Sequence, residues 1–276
     1  MAKLVLGLGA PHTPHFPTVA KEQGKSSRVT MLFKRLHAEL EASKPDLILV
    51  YTSDHFVSFF FDNMPTFCVG AFDAAEGPRE LSRSTPHYRV TGHPPFAHAL
   101  FEYGLECGFD LAAAEELVLD HSLLVPLHFL TPKMNIPIVP IYIRGLAEPL
   151  PKADRCFKLG EMVRRQIDRW PGAERIAVVA SGSFSLEVGG PKMGWIDYEW
   201  FDFVVERIRQ GNTADLLRRA TTRRMVSAGN TGGELLDWIA LLGTVGGGAA
   251  TFIEPDSQPP ESPRDAHAYA AWRLEA

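Results

Sequence analysis

Cysteine is scarce in this 276-residue chain: Cys68, Cys107 and Cys156 are all it has, and no two stand in a C-x-x-C spacing. An odd, scattered set of thiols supplies neither a disulfide framework nor a cysteine zinc site, and it fits a reducing compartment. An excess of positive charge is also missing, since 28 basic and 33 acidic side chains, interspersed, give a formal charge of -5. Without a basic stripe to displace counterions from phosphates, nucleic acid is not an expected partner. No segment reaches the roughly 18 uninterrupted apolar residues of a membrane helix. The N-terminal run KLVLGLG is too short for a signal-peptide core and breaks at Pro11. The expectation is a soluble, unprocessed, cytoplasmic protein with no membrane partner.

Two catalytic signatures are absent as well. Gly7-Leu8-Gly9 begins like a dinucleotide fingerprint, but His12 occupies the third glycine position of G-x-G-x-x-G. The stretch SGSFS, Ser181 to Ser185, lacks the G-x-S-x-G elbow that exposes a nucleophilic serine, so a hydrolase triad is unsupported.

What is present is a core. A hydrophobic fraction of 45% over this length supports one large domain. Four short apolar runs, KLVLGLG (3–9), DLILVYT (46–52), IPIVPIYI (136–143) and RIAVVASG (175–182), have the continuous character of parallel strands covered on both faces. Between them, helical spacing runs from Val29 to a stop before Pro45 and from Arg155 to Pro171-Gly172. Further helical stripes start at Phe96 and at Gly233, the latter after the capping pair Asn230-Thr231. The pattern predicts an α/β fold: a single domain over 1–276 with a largely parallel central sheet flanked by helices. The Phe-, Pro- and Gly-rich stretch from Phe56 to Pro95 reads as a long irregular region, and the proline-rich tail from about residue 254 reads as an extended surface segment.

Strand ends are where open parallel sheets bind ligands. His12 follows the first strand in GAPHTPH, and His55 follows the second in DLILVYTSDH, so both can reach one end of the sheet. Two strand-end histidines are half a metal site, and two His with one carboxylate is the non-haem Fe(II) pattern. The favoured carboxylate is Glu234 in AGNTGGELLDW, where Gly-Gly allows a close backbone approach and the helix start orients the side chain. Read one at a time, a histidine after a strand is more often a surface or hydrogen-bonded structural residue, and an acidic residue in a first helical turn more often only complements the helix dipole. Asp54 is read as support for the site or as a loop cap. In LDHSLLVPLHFL, His128 sits in an apolar run and reads as core, whereas His121 opens the segment and reads as a site-facing donor.

Taken together, PH12 after the first strand, SDH55 after the second, LDH121SLLVPL, SGSFS followed by GPKMGWIDYEWF, and GGE234 opening a late helix resemble the class III extradiol ring-cleavage dioxygenases, and among them the catalytic beta subunit of protocatechuate 4,5-dioxygenase. The resemblance covers most of the chain. It implies Fe(II) held by His12, His55 and Glu234, with the prolines stiffening the loop that aims His12. It implies a small aromatic or heteroaromatic substrate chelating through adjacent oxygens, O2 as co-substrate, and a homo-oligomer to which a small partner subunit can add.

One departure stands out. The family's proton-transfer histidine follows the strand matching RIAVVASG, and Leu186 holds its place here; SGSFSLEVGGPKMGW contains no histidine. Leucine carries no proton, so His121, His15 or Tyr198 is the expected substitute, and a substrate that ionises more readily than protocatechuate is expected to be preferred. Phe16, Phe59, Met64, Phe184 and Leu186 are the predicted pocket walls. Two alternatives remain beside this reading: a non-catalytic subunit of the family, and a metal-dependent non-oxidative hydrolase.

Overall fold

A run of apolar residues with no polar face must be buried on both sides to be a stable strand. In the computed structural model, which describes residues 1–80, 84–256 and 266–274, all four runs do this. In chain order the strands are β1 (Lys3–Ala10), β2 (Leu47–Thr52), β3 (Phe67–Gly70), β4 (Ala74–Gly77), β5 (Tyr88–Thr91), β6 (Ala112–Ala114), β7 (Ile138–Ile143), β8 (Arg175–Ser181), β9 (Phe252–Asp256) and β10 (His267–Arg273). The helices are α1 (Phe16–Gln23), α2 (Arg28–Ser43), α3 (Pro94–Glu106), α4 (His121–Leu130), α5 (Ala153–Arg169), α6 (Tyr198–Gln210), α7 (Thr213–Arg219), α8 (Thr222–Ser227) and α9 (Leu235–Val245).

Eight strands form one sheet in the order β6-β3-β7-β2-β8-β1-β10-β9. The centre is parallel: β7, β2, β8 and β1 run in one direction. Antiparallel pairings appear toward the edges, at β3 with β7 and at β10 with β1 and β9. This is the α/β domain that the apolar runs predict.

Alternate residues divide each central strand between two cores. Leu49, Tyr51 and Val178 face the layer containing α5, α6 and α9, while Ile48, Val50 and Val179 face α2 and α4. Each such side chain, fully buried, contributes about 1.5–3 kcal/mol. The α9 layer lies close because β1 carries glycine: a Cβ on Gly9 would collide with the ring of Trp238, which is itself fully buried.

Two expectations are corrected. The region from Phe56 to Pro95 is not irregular throughout, since it contains β3 and the antiparallel pair β4–β5. The tail from about 254 is not a surface segment where described: β9 and β10 extend the sheet, and Ala268 to Trp272 are buried. Small residues in AHAYAAW carry little hydrophobic signal, and the neighbouring proline-rich residues 257–265, outside the described ones, dominated the composition. Among the described residues no helix is long and apolar enough to cross a membrane.

Candidate metal centre

The carboxyl ends of β1, β2 and β8 open onto the amino ends of α4 and α9, and His12, His55, His121 and Glu234 meet there. Pro11 turns the chain out of β1 and leaves His12 with 7% of its surface exposed. Its Nδ1 lies 2.8 Å from Ser181 Oγ at the end of β8. That hydroxyl donates to the Ser122 carbonyl at 2.6 Å. Since its proton is committed to a pure acceptor, Ser181 must accept from His12 Nδ1–H. The tautomer follows: Nε2 of His12 carries the lone pair.

His55 is set by a tighter device. The Asp54 carboxylate accepts from the backbone N–H groups of Val57, Ser58 and Phe59, each at 3.0 Å, and so closes the turn after β2; Asp54 is the loop cap. Asp120, the N-cap of α4, takes His55 N at 2.8 Å and His55 Nδ1 at 3.2 Å on the same oxygen. Asp120 is buried and its other oxygen caps Ser122 N at 3.0 Å. Again the histidine's Nδ1 is occupied and Nε2 points onward.

Glu234 completes the set from the short turn Gly232–Glu234 ahead of α9. The paired glycines are needed for close approach, since a Cβ on Gly233 would collide with the Gly145 carbonyl. One carboxylate oxygen, Oε2, accepts from Ser183 N at 2.7 Å and Ser183 Oγ at 3.1 Å. The other, Oε1, lies 3.2 Å from His12 Nε2 and 3.3 Å from His55 Nε2, yet no hydrogen bond satisfies it.

Three buried atoms oriented as lone-pair bearers therefore converge, an arrangement that costs energy unless a cation sits among them. Two donors about 2.1 Å from one ion at near right angles lie about 3 Å apart, close to the separations seen here. A proton relieves part of the conflict. Burial alone lowers the pKa of His55, but hydrogen bonds and charge from Asp120 and Glu234 carry it well above the ordinary value. Burial wins at His12, whose pKa is lowered. For Glu234 burial opposes ionisation, but the two histidines hold its carboxyl far below the usual range.

Two other groupings bring potential ligand atoms within 4.8 Å of one another: His12, His55 and His121, and Glu80, Asp120 and His121. In the second, the carboxylates are already committed, Asp120 to His55 and Ser122 and Glu80 to His121 through both its Nδ1 and its backbone N. The first shares its two outer ligands with the Glu234 set, with His121 in third place. The unsatisfied Oε1 makes Glu234 the fitting third donor, and a neutral or mixed N/O set of this kind suits a divalent transition ion.

Beside these groups lies a cavity of about 390 Å3, whose wall includes His12, His55, His121, Glu234 and Leu186. His121 lines the cavity, with its ring 4.2 Å from that of His55 and 5.4 Å from that of His12.

Several predicted site residues lie elsewhere. Phe184 is fully buried against Phe201 and Trp238; because Ser183 turns toward Glu234, its neighbour turns the other way, into the core. Phe16 is sunk between Phe33 and His267 at the start of α1. Phe59 stacks edge-on against Tyr142, and both it and Met64 line a separate small depression, because the Asp54 turn carries that loop away from the ligands. His15 is exposed and meets Ser84, since Pro14 directs it outward. Tyr198 begins α6 and packs on the core outside the cavity, its segment held by Asp197 and Arg224.

Other site residues escaped the sequence reading. In the sequence Ser181 stands out only as a candidate nucleophile, and Asp120 has no signal beyond its place beside His121. Glu80 and His267 carry no local signal. His267 reaches the cavity from β10, binds Thr13 Oγ1 through Nε2 at 2.8 Å, and is pushed down by burial to a pKa of about 4.

A family model described as the catalytic LigB subunit of aromatic ring-opening dioxygenase matches residues 8–258. The chain is 29% identical over 187 residues to a 2,3-dihydroxyphenylpropionate/2,3-dihydroxicinnamic acid 1,2-dioxygenase of Klebsiella pneumoniae (strain 342), covering 67% of this chain and 58% of that protein. A Pseudomonas putida enzyme of the same name, numbered 1, is 29% identical over 225 residues, covering 79% and 67%. The chain thus spans about three fifths to two thirds of the length of these relatives. Among solved structures, an uncharacterized protein from Escherichia coli K12, JW3007, superposes with a TM-score of 0.62 over 97% of this chain and 99% of that one. At 18% identity this similarity speaks to the fold alone.

Proposed function

This chain belongs to the family of the catalytic LigB subunit of aromatic ring-opening dioxygenases, and from that premise we propose that it is an Fe(II)-dependent extradiol dioxygenase. Its substrate is a small aromatic or heteroaromatic compound with two adjacent oxygen donors, cleaved beside the diol with incorporation of O2. The observation that carries the reading is the convergence of His12 Nε2, His55 Nε2 and Glu234 Oε1, with the buried Oε1 3.2 and 3.3 Å from the two ring nitrogens.

His12, His55 and Glu234 would hold the ion, and the cavity beside them would take the substrate. Bound there, ferrous iron supplies Lewis acidity toward a chelating diol and a one-electron couple for reaction with dioxygen. The protein does the rest. Ser181 and Asp120 hold the two imidazoles in the ligating tautomer. His121, with Nδ1 occupied by Glu80, presents Nε2 to take a proton from a diol oxygen and return one as the ring opens. Leu186, elsewhere on the cavity wall, can only exclude water there.

The test is anaerobic purification, reconstitution with ferrous iron, metal analysis and an oxygen electrode with a panel of catechols. Stoichiometric iron and diol-dependent oxygen uptake with a ring-opened product are expected. Product formation without oxygen would identify a hydrolase instead, and iron binding with no uptake on any diol would identify a non-catalytic subunit.

A further inference from the structure

Part of the cavity wall is apolar and uncharged, and the polar side chains set among it, Asn230, Thr231 and Ser183, are hydrogen-bonded within the protein. Phe56, Leu146, Leu186 and Val188 supply its apolar surface. Asn230 spends both ends of its amide on the backbone of Val188, accepting from N at 2.9 Å and donating to O at 2.8 Å. Thr231 donates to the Leu186 carbonyl at 3.0 Å, and Ser183 is bound to Glu234. His121 binds Glu80 through Nδ1, leaving Nε2 for the diol, and His267 binds Thr13 through Nε2. Among the described residues no lysine or arginine lines the cavity, whereas Glu234 does.

We propose that the substrate carries no carboxylate, and that an uncharged, apolar ring substituent occupies this wall. The inference rests on the proposed diol-cleaving function and narrows its substrate class. A carboxylate pressed against Phe56, Leu146, Leu186 and Val188 would lose its hydration and gain no cation among the described residues. The named substrates of the curated relatives are acids, so the wall marks a divergence in specificity.

The experiment is anaerobic calorimetry on the ferrous-reconstituted protein with four probes: 3,4-dihydroxybenzoate, 3-(2,3-dihydroxyphenyl)propanoate and the methyl ester of each. Each ester is expected to bind at least about tenfold more tightly than its acid. Leu186→Lys and, at the half-exposed rim, Val188→Lys each place a cation on the wall. At least one should narrow the gap by about threefold or more. Acids binding as tightly as their esters, or a gap unchanged in both variants, would overturn the inference and leave the diol-cleaving function standing. Binding of none of the four probes would remove that function and the inference with it.

Discussion

Ser181 Oγ lies 2.8 Å from His12 Nδ1 while donating its own proton to the Ser122 carbonyl, so one serine decides which nitrogen of His12 carries the lone pair. Ser181→Ala should leave the fold intact and weaken metal binding by about 10–100-fold, the usual effect of losing a partner that orients a ligand. Competition with a chromophoric chelator measures it. Wild-type affinity in the variant would show that the imidazole is oriented by packing alone.

Replacing His12, His55 or Glu234 singly with Ala should abolish stoichiometric iron binding. Metal content of anaerobically prepared protein is the measurement, and an iron-replete Glu234→Ala would overturn the assigned set in favour of a three-histidine site.

Iron uptake should be coupled to proton release. In the metal-free protein His55 holds its proton to higher pH than an ordinary imidazole, because hydrogen bonds and charge from Asp120 and Glu234 outweigh its burial. That proton must leave before Nε2 can coordinate. Affinity should therefore fall as pH falls, by up to about tenfold per unit below the raised pKa. Calorimetry in buffers of different ionisation enthalpy will read the proton count, and a buffer-independent heat would contradict the coupling.

His121→Ala should retain iron and lose turnover by about 10²–10⁴-fold, the range for a general acid and base. Leu186→His, restoring an ionisable group on the cavity wall, should raise turnover of protocatechuate. Steady-state oxygen uptake at matched iron loading tests both, and wild-type kinetics in His121→Ala would remove it from the mechanism.

His267 should make the fold acid-labile. Burial lowers its pKa from 6.5 to about 4, so between those values the unfolded chain binds a proton that the folded one does not. Stability from this group is complete above about pH 6.5 and falls as pH drops toward 4, by about 3 kcal/mol in all. Urea denaturation at pH 7 and pH 5 should show a loss in the wild type that is smaller in His267→Gln. Equal losses would place the acid sensitivity elsewhere.

Much of the architecture is written in local pattern. Runs such as DLILVYT and RIAVVASG have no polar face, so they had to become strands covered on both sides, and their ends had to be where histidines following them would meet. Helical periodicity places α2, α3, α5 and α9, and PH12, SDH55 and GGE234 name three side chains that the fold brings together. The remainder depended on contacts between distant segments. Nothing near Ser181 in the chain indicates that it orients a side chain 169 residues away, and Glu80 meets His121 across 41. Phe184 and Leu186 look alike as pocket walls from sequence. The Ser183–Glu234 bond turns the first into the core, whereas the chain beyond it, held by Thr231 at the Leu186 carbonyl, leaves the second on the cavity. The alanine-rich β10 could be recognised as an inner strand only once β1 and β9 were on either side of it, because small residues gain their burial from neighbours rather than from their own hydrophobicity.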